Sequence, residues 1–71
     1  MATEVEAQIT GSVWKIEKAV GDAVQEGDVL IILESMKMEI PVEAPQGGTV
    51  KEILVAEGQT VQEGDTVAIL E

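Results

Sequence analysis

Cysteine and histidine are both missing from this chain, and its only aromatic residue is Trp14. Without cysteine there is no disulfide staple, no thiolate nucleophile and no thiolate metal site. Without histidine the commonest general base is gone, and the lone serine near mid-chain, Ser35, has no evident partner to activate it. Catalysis by this chain alone is therefore not expected. Positive charge is also scarce. The four basic residues are all lysines (Lys15, Lys18, Lys37 and Lys51) against 14 acidic ones, a formal net charge of −10. Such a chain is repelled by phosphate backbones, so nucleic-acid binding is excluded in practice, whereas basic partner surfaces are attracted. Long apolar runs are lacking too. The stretch from Val29 to Leu33 falls far short of the about 20 residues that a membrane span requires. Nothing resembles a signal peptide, which fits a cytoplasmic protein with no membrane association.

What remains is enough for one small domain of 71 residues, monomeric as read from the sequence and stabilised by aliphatic burial. β-Branched aliphatics dominate: ten Val and seven Ile against four Leu, a bias toward strands. The chain also repeats itself. Placing residues 5–34 over 42–71 gives sixteen identities in thirty pairs, among them Val5/Val42, Gly11/Gly48, Gly27/Gly64 and Glu34/Glu71. Two copies are too few for a solenoid, so a single closed domain with two quasi-equivalent halves is expected over residues 1–71.

Each half carries the same punctuation. The expected strands in the first are Val5–Ile9, Ser12–Lys18, a short run around Val24, and Val29–Glu34. In the second they are Ile40–Ala44, Thr49–Val55, a short run around Val61, and Thr66–Glu71. Gly11, Gly21 and Gly27 separate the first set; Gly48, Gly58 and Gly64 separate the second. The spacing predicts an all-β fold, a flattened eight-strand barrel or sandwich of two four-stranded sheets. Leu30 and Ile32 match Val67 and Ile69, while Val29 and Ile31 match Thr66 and Ala68. Alternation along a strand then assigns Leu30 and Ile32 to the core face. The pairs Val13/Ile16 and Val50/Ile53 are spaced by three, which breaks that alternation and predicts a β-bulge in each half.

The Glu-Gly-Asp sequences at 26–28 and 63–65 lack the alternating oxygen ligands of a calcium loop and read as plain turns. Lys15, Lys18 and Lys51 read as solvated strand residues, and Trp14 as partly exposed packing. Lys37 is set apart by its position. It lies in Glu34-Ser35-Met36-Lys37-Met38-Glu39, inside the connection Ser35–Pro41 between the halves, close to the tip of a predicted hairpin. Symmetry opposes this connection to the two chain ends, so Lys37 should protrude at the pole away from them. An exposed turn lysine is commonplace. Methionines on both sides are not, because turns favour Gly, Asn, Asp and Pro, and methionine is frequent on recognition surfaces. From the residues alone, a recognition tip and a merely irregular loop both stand.

The motif Glu34–Glu39, followed by Ala44-Pro45 and Gly48-Thr49-Val50, resembles the attachment site of the biotinyl/lipoyl domain family, closest to the biotinyl type. The resemblance covers essentially the whole chain. It implies a biotin carboxyl carrier domain, non-catalytic in itself, with biotin joined covalently to Lys37. Met36 and Met38 would be flanking residues favoured by a biotin protein ligase. A biotin carboxylase would load a carboxyl group, and a carboxyltransferase would pass it on, as in acyl-CoA carboxylase systems. The halves align without a gap, so the inserted "thumb" of some biotinyl domains is absent and a small stand-alone carrier is the nearest layout. A lipoyl carrier of an oxo-acid dehydrogenase or glycine-cleavage complex is the alternative, set back because that group usually has Asp-Lys-Ala at the tip. A docking module without modification is a third reading.

Overall fold

A computed structural model describes residues 2–71 and shows eight strands and no helix. These are β1 (Thr3–Glu6), β2 (Gly11–Ile16), β3 (Ala23–Val24), β4 (Val29–Ser35), β5 (Met38–Glu43), β6 (Gly48–Ile53), β7 (Thr60–Val61) and β8 (Thr66–Leu70). They form two four-stranded antiparallel sheets, ordered β1-β8-β6-β3 and β5-β4-β2-β7. Each sheet takes two strands from each half of the sequence, so neither half could close a core by itself. Shifting by the repeat turns β1 into β5, β3 into β7, β2 into β6 and β4 into β8, and one sheet order becomes the other. The resulting body measures 33 × 17 × 17 Å.

The core between the sheets is wholly aliphatic. Leu30, Ile31, Leu33, Val67, Ala68 and Leu70 are fully buried, with Val13, Val50 and Val61 almost so. No polar side chain is buried among the described residues. The turns repeat as faithfully as the core. Gly27 and Gly64 adopt φ 91° and 92°, the left-handed region that a Cβ disfavours. One residue later Asp28 accepts the Gln25 N–H at 2.9 Å, and Asp65 accepts the Gln62 N–H at 2.8 Å. These carboxylates are engaged in closing turns, as the plain-turn reading requires.

The predicted bulges are present. Val13 pairs with Leu33 and Lys15 with Ile32, leaving Trp14 as the extra residue; Val50 and Glu52 likewise leave out Lys51. Two further bulges change the assignment of the core face. Val29 pairs with Glu43 and Ile31 with Val42, which makes Leu30 an extra residue, and Val67 is its counterpart against β1. Beyond each bulge the alternation restarts one residue out of phase. Leu30 is buried as expected, but Ile31 and Leu33 complete the core face and Ile32 is only half-buried. The first strand is also displaced, to Thr3–Glu6 rather than Val5–Ile9. Ala7 leaves the ladder to exchange backbone hydrogen bonds with Asp65 and Gly64, each at 2.9 Å.

Candidate functional site

The connection between the halves is tighter than its sequence suggests. Rather than spanning Ser35–Pro41, it is a two-residue turn, because Ser35 pairs with Met38 and closes the β4–β5 hairpin. Pro41 lies inside β5, which is tolerated because β5 is an edge strand. The two central residues, Met36 and Lys37, have φ 53° and 65°. Positive φ at both centres defines the type I′ turn, whose twist matches that of the flanking strands and whose usual residues are Asn-Gly. Neither residue here suits it. The ladder from Val29 to Ser35 over-determines the turn, so the hairpin forces a left-handed backbone on a methionine and a lysine.

The consequence is an amine at the apex of the molecule. Lys37 is exposed, as are Met36 (88%) and Met38 (57%) on either side. Among the described residues the ion pairs are Lys15–Glu17 at 3.5 Å and Lys51–Glu71 at 4.0 Å, and Lys37 takes part in neither. The four lysines therefore fall into three settings: Lys15 and Lys51 are strand residues in ion pairs, Lys18 is partly covered, and Lys37 alone crowns a turn. Glu34 and Glu39 pair across the neck of the hairpin, directly below the turn.

The neck is braced from below by a residue that sequence reasoning passed over. A Cβ on Gly11 would come 2.7 Å from the Glu34 carbonyl oxygen and 3.4 Å from the Ser35 Cβ. Gly11 thus lets β2 lie directly against the end of β4. Its counterpart Gly48 makes the same approach, 2.8 Å, to the Glu71 carbonyl oxygen. The glycine match between the halves is visible in the sequence; that its partner in one half is the hairpin neck is not.

The tip and the outer ends of β1 and β8 occupy opposite poles. Glu71 exchanges backbone hydrogen bonds with Thr49 at 2.8 and 2.9 Å. Thr49 pairs with Ala23 in β3, and one turn after β3 the chain enters β4 at its base, Val29. Thr3 pairs with Leu70 beside it. The ends of the outer strands are therefore level with the base of β4, and the tip lies past its other end. A groove between the edges of β1 and β5, lined by Glu4, Glu6 and Glu43 with Val5 and Val42, opens near that base and holds no lysine.

An all-β body that exposes one amine at a positive-φ turn has the geometry to present a covalently carried group. An exposed primary amine fits amide attachment of a carboxylic acid. The family described as "Biotin-requiring enzyme", of the biotin/lipoyl attachment type, matches residues 1–70. The "Biotinylated protein TB7.3 homolog" of Mycobacterium leprae is 55% identical over 42 residues, which are 59% of either chain. The match thus spans about three fifths of that relative's own length. Among solved structures, the Kluyveromyces lactis urea carboxylase superposes with a TM-score of 0.95 at 42% identity, over 100% of this chain and 6% of that one. A single-chain, multi-domain long-chain acyl-CoA carboxylase superposes with a TM-score of 0.89 at 31% identity, covering 96% of this chain and 7% of that one. This chain belongs to the biotin/lipoyl attachment family. Within that family it is a biotinyl domain.

Proposed function

We propose that residues 1–71 act as one biotin carboxyl carrier domain, with biotin attached to Lys37. The observation that carries this reading is the exposed amine of Lys37 at a two-residue turn, outside every ion pair of the described residues and flanked by Met36 and Met38. Bound biotin would supply a ureido nitrogen able to hold a carboxyl group, and the hard chemistry would belong to cofactor and partner enzymes. The chain's own contribution is presentation. The hairpin holds Nζ in water at one pole, and a larger assembly would hold the domain at the other, where β1 begins and β8 ends. Confinement of that kind raises the effective concentration of the carried group at successive active sites.

The partners on this reading are a biotin protein ligase, a biotin carboxylase and a carboxyltransferase of the acyl-CoA carboxylase kind, in the cytoplasm. Met36 and Met38 offer the ligase adaptable apolar contacts, and the carrier itself is non-catalytic. Co-expression with a biotin ligase tests the proposal. Streptavidin blotting and intact mass spectrometry should show one biotin per chain, and Lys37→Arg should show none. Biotin on Lys15, Lys18 or Lys51 would refute the assignment. A lipoyl adduct on Lys37 in place of biotin would turn the reading to a lipoyl carrier, and no adduct would leave a docking module.

A further inference from the structure

Among the described residues the oxidisable sulfur lies in one place. The chain contains no cysteine and three methionines, and the core holds only Val, Ala, Leu and Ile among its fully buried side chains. Met1 lies outside the described residues, and the other two methionines flank Lys37 with 88% and 57% of their surface exposed. A thioether in water is the side chain most open to two-electron oxidation in a protein without thiols.

We propose that Met36 and Met38 form a reversible oxidation site that controls modification of Lys37, an inference that rests on the biotinyl reading. A hydroperoxide is the oxidant. Its O–O bond breaks, one oxygen forms the S=O bond of methionine sulfoxide, and the other leaves as water (or as the alcohol of an organic peroxide). Sulfur gives up two electrons and the peroxide accepts them. A reductase of the methionine sulfoxide class reverses the change, with a dithiol supplying two electrons and the oxygen leaving as water.

Two features of the fold confine the effect to recognition. The turn is closed by backbone pairing of Ser35 with Met38, which a change at sulfur leaves intact. Neither methionine belongs to the core cluster, so a polar sulfoxide costs no packing. What changes is the surface met by the ligase: two soft apolar side chains become polar and chiral. Loss of roughly half of one methionine's apolar contact with the ligase corresponds to an about tenfold slower transfer.

The test treats purified protein with hydrogen peroxide, locates sulfoxide by peptide mass spectrometry, and measures biotin transfer by a purified ligase. Expected are sulfoxide at Met36 and Met38, an about tenfold drop in rate, full recovery after methionine sulfoxide reductase, and an unchanged melting temperature. In the double variant Met36→Leu/Met38→Leu, whatever its starting rate, peroxide should change nothing. Equal rates before and after oxidation would overturn the proposal, as would a peroxide effect that persists in the double variant or a loss of folding on oxidation. If untreated protein accepts no biotin at all, the biotinyl reading fails and the control function falls with it.

Discussion

The hairpin tip should become more stable when the residues that give it its chemistry are removed. Met36 and Lys37 sit at φ 53° and 65°, and a left-handed backbone costs a residue with a Cβ about 1–2 kcal/mol. Lys37→Gly relieves that cost, offset by about 0.5–1 kcal/mol of additional chain entropy lost on folding. Met36→Asn adds a similar net gain, since asparagine tolerates this region and suits the first position of the turn. No packing is given up, because Met36 is 88% exposed. The double variant should therefore be about 1–1.5 kcal/mol more stable, which raises the melting midpoint of a domain this size by roughly 5–10 °C. Urea unfolding followed by circular dichroism, with Trp14 fluorescence as a second probe, measures the change and tests two-state behaviour. Gly27→Ala and Gly64→Ala supply the converse. Their φ values are 91° and 92°, and a Cβ at either position would meet nothing within 4 Å, so each should lose about 1 kcal/mol through backbone conformation alone. A double variant no more stable than the parent would refute the claim that strain is stored at the tip. If the gain appears, Met36 and Lys37 are held at the tip against their local backbone preference, as the proposed attachment role requires.

Two further predictions use the internal repeat as a control. Gly11→Ala and Gly48→Ala each drive a methyl group into a backbone carbonyl, at 2.7 and 2.8 Å, and each should cost about 1–3 kcal/mol; only Gly11→Ala, which displaces the neck of the hairpin, should also slow biotin transfer in a ligase assay. Asp28→Ala and Asp65→Ala each remove one turn acceptor and should lose about 1 kcal/mol in urea unfolding, equally in both halves and with no response to added calcium.

The repeat explains why so much can be read from the residues. With sixteen identities placed at one offset, a glycine in one half vouches for its match in the other, and the eight strands and their turns follow. The bulges at Trp14 and Lys51 are legible because Val13/Ile16 and Val50/Ile53 visibly break a period of two. Those at Leu30 and Val67 are not, because a run such as Val29–Leu33 is apolar on both faces and offers no polar residue to mark the change of phase. Hence alternation assigns Ile32 to the core where Ile31 and Leu33 belong. The end of β1 is hidden for a different reason. Val5 and Ala7 are both buried, but only the partner strand decides where the ladder stops. At the tip, the position of Lys37 is plain and its backbone is not. Met36-Lys37 carries none of the chemistry of a type I′ turn, so the two-residue loop emerges only from the pairing of Ser35 with Met38. Gly11 is recognisable as a turn glycine and not as the floor of the site, since that depends on which strand passes above it.

Peptide mapping of the protein isolated from its own host bears most directly on the claim that the fold presents one amine for a carried group. A single biotin adduct on the peptide containing Lys37, with Lys15, Lys18 and Lys51 unmodified, is the predicted result. An adduct on any of those three lysines, with Lys37 bare, would contradict it.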